Sequence, residues 1–270
     1  MKISAKGKYY GTEDIEVSLG EIVMTQYDYT IETTPWHYHE NPYFMFVLDG
    51  NMVDNNKKVR TLLPTGSLMF NNWQEEHFGF RHSQQAAGFH LEFEKSWFKK
   101  KGVDLSVFEG SKLIQDPQVH LPFARLYHEF NVADEHSELS IELLLLQICD
   151  VLGTAKQFQQ KGTPTWVAKL KEILQFDNAD LTLQYLSQQL DVHPVHISRA
   201  VPKYLSVSLG EYIRQIKIKR AIPLLLDSKY LLTQVAYEAG FADQSHFNYT
   251  FKRYFGVSPG KYRKNLLKKQ

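Results

Sequence analysis

Two hydrophobic rhythms divide the chain. Between residues 21 and 93 apolar side chains come in short runs: Glu21–Tyr29, Tyr43–Asp49, Val59–Leu63, Ser67–Phe70, His77–Arg81 and Gly88–Phe93. Turn residues separate them, at Asp49-Gly50, Asp54-Asn55-Asn56 and Pro64-Thr65-Gly66. Short strands at regular spacing predict a sandwich or barrel. After Asp116 the period lengthens. Phe123, Leu126, Tyr127 and Phe130 share one helical face, and Pro122 suits a first turn. Ser137–Lys156 carries Leu139, Leu143 and Leu146 on a stripe wide enough either for a partner helix or for its own barrel. Gln157–Thr165 is polar with Gly and Pro and reads as a linker.

From residue 166 onward the pattern is helical: Trp166–Phe176, Leu183–Gln189, Pro194–Tyr204, Leu209–Leu226, Leu232–Ala239, Gln244–Tyr254 and a last turn at Pro259–Arg263. Twice a short helix precedes a longer one by about four residues, the helix-turn-helix arrangement. The two occurrences are copies. A shift of 50 residues lays Tyr204-Leu-Ser-Val-Ser-Leu-Gly-Glu-Tyr212 on Tyr254-Phe-Gly-Val-Ser-Pro-Gly-Lys-Tyr262. Two copies of one unit suit a periodic partner, since successive major grooves on one DNA face lie about 34 Å apart.

Charge sharpens the division. Residues 1–163 hold 15 Lys and Arg against 22 Asp and Glu, a net −7, whereas residues 164–270 hold 16 against 8, a net +8. A basic second half suits a polyanion. At 270 residues with 13% aromatics, the chain is long enough for two packed domains, 1–160 and 164–270. A single cysteine, Cys149, excludes an intramolecular disulfide. Met1–Val17 lacks the apolar stretch of a secretory signal, and no run approaches the roughly 18 apolar residues of a membrane helix. A cytoplasmic protein without a membrane partner is expected.

The C-terminal motifs resemble the DNA-binding domain of the AraC/XylS family of bacterial transcription regulators. The second unit matches through Ala236-Tyr-Glu-Ala-Gly-Phe241, Asp243-Gln-Ser-His-Phe247, Phe251-Lys-Arg-Tyr-Phe-Gly-Val-Ser-Pro259 and Tyr262-Arg263. The first matches through Leu186-Ser-Gln-Gln-Leu190, Pro194, Ser198-Arg199 and Leu209-Gly-Glu-Tyr212. The resemblance implies two readers bridged by Leu209–Leu226. In Pro194–Tyr204, Ile197 and Val201 turn inward, leaving Val195, His196, Ser198 and Arg199 for the groove. In Gln244–Tyr254, Phe247 and Phe251 turn inward, leaving Gln244, Ser245, Asn248, Tyr249 and Lys252. Arg199 can fork onto guanine, Asn and Gln can pair with adenine, and Lys252 and Arg253 suit phosphates. Asp191, Ser206 and Tyr249 depart from the family pattern. Pro202 and Pro223 are expected to kink or end their helices.

The family often joins this domain to a cupin-like barrel. Trp36-His-Tyr-His39, Tyr43 and Gly50 resemble the first cupin motif, with Tyr43 in place of Glu; Pro64-Thr-Gly66 resembles the second, with Met69 where its His belongs. Only His37 and His39 remain in place, and His77 is displaced along the chain. The expected barrel is therefore an effector pocket formed by His37, His39, Tyr43, Phe46, Trp73 and His77, with no metal, no cofactor and no catalytic residue. Aromatic faces with a few polar groups suit a polar organic effector such as a sugar. The fold class implied is α+β: an N-terminal cupin-like β-barrel with flanking helices, then an all-α domain with two helix-turn-helix motifs. Expected partners are double-stranded DNA, an effector, a second copy and, for an activator, RNA polymerase. The alternatives are a cupin-type metalloenzyme with a helical appendage and an effector-independent regulator whose barrel only dimerises.

Overall fold

The computed structural model describes residues 2–73, 75–176 and 181–267. Its first half is built from β1 (Lys2–Ser4), β2 (Thr12–Leu19), β3 (Ile22–Asp28), β4 (His37–His39), β5 (Tyr43–Asp49), β6 (Asn51–Asn56), β7 (Arg60–Pro64), β8 (Leu68–Asn71), β9 (His77–Arg81), β10 (Ala87–Phe93) and β11 (Lys112–Leu113). One sheet runs β1-β4-β9-β6-β7 and the other β11-β8-β5-β10-β3-β2. All pairings are antiparallel except β1 with β4. These two sheets are the sandwich or barrel arrangement that the strand rhythm implied.

Strand β5 shows how the sheet serves two cores. Side chains alternate across a strand. Tyr43, Met45 and Val47 join Tyr27, Met52, Leu63 and Met69 between the sheets. Phe44, Phe46 and Leu48 face the other way, into a cluster with Phe123 and Tyr127. Those last two lie on α2 (Pro117–Val132), which follows α1 (Lys95–Lys101) and precedes α3 (Ser137–Lys161). Asp116 caps α2 by accepting from the Gln118 amide at 3.0 Å, and Pro117 takes the first turn. Pro122 therefore lies inside the helix, not at its start. Helix α3 continues through Gln157 to Lys161, so the expected linker shrinks to Gly162–Pro164, where Gly162 takes φ 81°.

The second half comprises α4 (Thr165–Phe176), α5 (Leu183–Leu190), α6 (Pro194–Leu205), α7 (Leu209–Leu226), α8 (Leu232–Glu238), α9 (Gln244–Phe255) and α10 (Pro259–Leu267). Neither Pro202 nor Pro223 ends its helix. Burial of Leu205 and Leu225 beyond the prolines outweighs the one hydrogen bond each removes. Helices α4 to α6 and the start of α7 share a core of Leu170, Leu174, Leu186, Ile197, Val201 and Ile216. The rest of α7, with α8 to α10, packs into the same cluster as α2, α3 and the outer face of β5. Among the described residues, no helix is long and apolar enough to cross a membrane.

Candidate nucleic-acid interface and barrel pocket

Each helix-turn-helix unit caps its second helix. His193 caps α6, its Nδ1 accepting from the Val195 amide at 3.3 Å, while Asp243 caps α9 by accepting from the His246 amide at 2.7 Å. Ile197, Val201 and Leu205 form the buried stripe of α6. Val195, His196, Ser198 and Arg199 all lie exposed on its remaining surface. Phe247, Thr250, Phe251 and Phe255 form the buried stripe of α9. Ser245, Tyr249, Lys252 and Arg253 are exposed, whereas Gln244 and Asn248 are half-buried. Thus eight of the ten expected groove residues are exposed on their helices, and two sit at the margin.

Bonds tie these helices to their frame. Glu211, at the start of α7, accepts from Arg214 Nη2 at 2.7 Å and from the Tyr254 hydroxyl on α9. Arg263 on α10 donates to the carbonyls of Tyr230 at 2.7 Å and of Leu225 at 3.2 Å, closing the end of α7. Toward the barrel, the Tyr262 hydroxyl donates to the Ala124 carbonyl at 3.2 Å, and its ring stacks on His128 at 5.2 Å.

Within the barrel, β4 and β9 pair so that His37 lies opposite His77. His77 is thus not displaced in space. Ligand atoms of His37, His39 and His77 all lie within 4.8 Å of one another, and all three residues are buried. Only strand register brings them together; motif spacing hides it. His37 Nδ1 pairs with the Pro35 carbonyl at 2.8 Å, and His77 Nε2 with the Tyr43 hydroxyl at 3.1 Å. Both ring nitrogens of His39 are buried without a partner. Burial holds the His39 and His77 imidazoles below their ordinary range, so both are neutral and keep lone pairs. Burial also pushes the Asp54 carboxyl up to about 7. Three imidazoles gathered at this separation are of the ligand type that holds a divalent transition-metal ion.

Two expected pocket residues lie elsewhere. Phe46 points to the outer face, against Phe123 and Tyr127. Trp73 is half-exposed beneath the Lys95 ammonium, 4.8 Å from its ring centre. Among the lining residues that the sequence reading missed are Tyr9, Tyr29 and His90: Tyr9 stacks on His90 at 3.6 Å, and the Tyr29 hydroxyl bonds His90 Nε2 at 2.9 Å. The signal was a histidine inside the apolar run Ala87–Phe93. The remaining space is about 50 Å³. That holds an ion or a few waters, far below the roughly 300 Å³ of a small-molecule pocket.

Residues 186–265 match the family model described as a helix-turn-helix domain. The chain is 30% identical over 106 residues to the Msm operon regulatory protein of Streptococcus mutans serotype c, covering 39% of this chain and 38% of that one. It is 35% identical over 83 residues to the multiple antibiotic resistance protein MarA of Salmonella typhimurium, covering 31% of this chain and 65% of that one. The first curated relatives are matched over 29–38% of their length. Among solved structures, apo ToxT from Vibrio cholerae is similar at TM-score 0.38 and 15% identity, over 92% of this chain and 98% of that one. A cupin-2 domain protein from Shewanella frigidimarina is similar at TM-score 0.29 and 11% identity, over 32% and 84%. At these scores neither likeness bears on function.

Proposed function

Because residues 186–265 form an AraC/XylS-type helix-turn-helix domain, we propose that the chain is a sequence-specific transcription regulator that sets α6 and α9 into successive major grooves of double-stranded DNA. The supporting observation is a matched pair of capped helices, each with one buried apolar stripe and an exposed polar face. Val195, His196, Ser198 and Arg199 read the first half-site. Gln244, Ser245, Asn248 and Tyr249 read the second, and Lys252 and Arg253 hold phosphates. Residues 164–270 form the DNA-binding domain; residues 1–160 form the sensing and dimerising domain. The protein works in the cytoplasm, as an activator touching RNA polymerase, and not as an enzyme. Leu139 and Leu143 are 62% and 58% exposed on α3, and this stripe serves a second copy.

A small-molecule effector shifts the spacing of the two readers only if it binds their arrangements with different affinity. A sugar in the barrel requires Tyr9 to leave its stack on His90, because the enclosed space is too small. In vitro site selection with the purified chain tests the regulator reading. Two conserved half-sites are expected, and Lys252→Ala should weaken binding to every sequence while lowering the salt slope by about 1. Unchanged binding by both Lys252→Ala and Arg199→Ala contradicts it.

The converging imidazoles favour a second role for the barrel, holding a divalent cation through His37, His39 and His77. Elemental analysis of the full chain and of His39→Ala tests this, with about one equivalent of metal expected only in the former. Turnover lost together with that metal would favour the metalloenzyme alternative.

A further inference from the structure

The two reading helices are copies at the level of single positions. Under the 50-residue shift the caps His193 and Asp243 coincide, and the buried stripe Ile197, Val201 and Leu205 falls on Phe247, Phe251 and Phe255. The two helices therefore turn the same positions outward. Most of these hold unlike residues: Val195 falls on Ser245, Ser198 on Asn248 and Arg199 on Tyr249. One holds the same residue. His196 falls on His246, and both are exposed. His246 is absent from the groove residues that the sequence reading expected. We infer that His196 and His246 make one and the same base contact, each donating to guanine, so that the two half-sites carry an identical G·C pair at equivalent positions in successive grooves. This rests on the regulator reading and adds to it a specificity-determining residue and the base it reads.

Both imidazoles are held alike, by rings that are not copies of each other. The His196 ring meets Trp166 of α4 edge to face, with centres 5.8 Å apart and planes at 64°. The His246 ring meets Phe241, in the turn before α9, at 5.3 Å and 85°. Under the same 50-residue shift Trp166 falls on Ile216 and Phe241 on Asp191, so the supporting rings come from unrelated positions. The support is thus a property of the two histidine positions and not a residue of the repeat. A ring already held in place loses less freedom when it meets a base, and a fixed donor discriminates better than a loose one. An imidazole carries an N–H donor whether neutral or charged. In the major groove guanine offers two adjacent acceptors, N7 and O6, whereas adenine sets a donor beside its N7. An N–H aimed at that edge therefore favours guanine.

The two supports differ in what lies behind them. Phe241 is buried within the second unit's own turn, against Phe247 at 5.3 Å. Trp166 is half-buried and also meets Tyr204 of α6 at 6.1 Å, and the Tyr204 ring lies 5.9 Å from Phe158 on α3. Trp166 is accordingly a positioning residue for the first histidine alone, and it can be altered without touching the second reader.

The test uses the full chain and the site it selects in vitro. Competition against duplexes with single base-pair substitutions reads the preference at each position. The selected site should carry G·C at two positions about one helical turn apart. His196→Ala should lose about fivefold or more of the discrimination at the first position, and His246→Ala the same at the second, each leaving the other intact. Both histidines are exposed, so these variants leave the core unchanged. Trp166→Leu should relax the first position only, and Trp166→Phe should restore it, whereas a merely structural role for Trp166 would weaken every duplex alike. Unlike base pairs at the two positions overturn the inference, as does discrimination unchanged in both histidine variants. If the histidine variants behave as expected and Trp166→Leu does not, the positioning role falls and the shared base contact stands. If the unsubstituted chain selects no site, the regulator reading itself fails and takes this inference with it.

Discussion

The two helix-turn-helix units are copies in sequence but differ in what surrounds them. The first, α5 and α6, keeps its own core with α4 and the start of α7. The second, α8 and α9, shares one continuous cluster with α2, α3 and the outer face of β5. The second reader therefore shares its core with the barrel block, and the first joins that block through α7, the Lys171–Asp116 pair and the packing of Tyr204 against Phe158 on α3. The turns differ in the same sense. Gly240 and Gly256 take φ 86° and 72° in the second unit, whereas Asp191 and Ser206 take φ 52° and 58° in the first. A Cβ in the left-handed region costs roughly 1–2 kcal/mol, so the first unit carries local strain that the second avoids.

Core truncation should break this comparison most strongly. Phe251→Ala is expected to cost about 3–5 kcal/mol and to lower hydrogen-exchange protection in α2 and β5 as well as α9. Leu186→Ala should cost about 2–5 kcal/mol with loss confined to α4–α6 and the start of α7. Equal spread from both variants would dissolve the distinction.

Acid should act on the fused block next. Burial, and then Lys219, bring the His120 imidazole down to about 3; burial, Lys261 and Arg125 bring His128 down to about 4. Between those values and an unfolded pKa near 6.5, the unfolded chain binds more protons, so stability falls as pH falls. About 2 kcal/mol should be lost between pH 6.5 and 5.5 from the two together. Denaturant titrations of His120→Gln and His128→Gln should show a shallower dependence; an unchanged slope rejects the attribution.

Base contacts come third. Arg199→Ala and Asn248→Ala should each cost about 1–3 kcal/mol on the selected site, each relaxing preference at one half-site only, as read by competition against point-substituted duplexes. The smallest effect concerns the turns. Ser206→Gly should stabilise by up to about 1 kcal/mol, and Gly256→Ala should destabilise by a similar amount. A Cβ at Gly256 meets no atom within 4 Å, so backbone strain alone is tested there by thermal melting.

Legibility in the sequence followed the strength of the apolar signal. Strands β5 and β9 and helix α7 match the periodicity end to end. Strand β2 was hidden because it is an edge strand of half-exposed residues, Thr12–Leu19, three of them acidic. Strand β6 was hidden because Asp54-Asn55-Asn56 reads as a turn, yet Asp54 is buried against the histidines. Phe46 was misplaced because β5 is apolar on both faces, so alternation cannot say which face is inward. His77 joined the histidine pair through register across β4 and β9, a long-range fact that local spacing does not hold. The groove faces, by contrast, follow directly from helical period and the buried stripes of α6 and α9.

The most direct test of paired readers is a hydroxyl-radical footprint of the full chain on its selected site. The account predicts two protected tracts about one helical turn apart on the same face of the duplex, the tract under α6 lost in Arg199→Ala and the tract under α9 in Asn248→Ala. A single tract, or two on opposite faces, would contradict it.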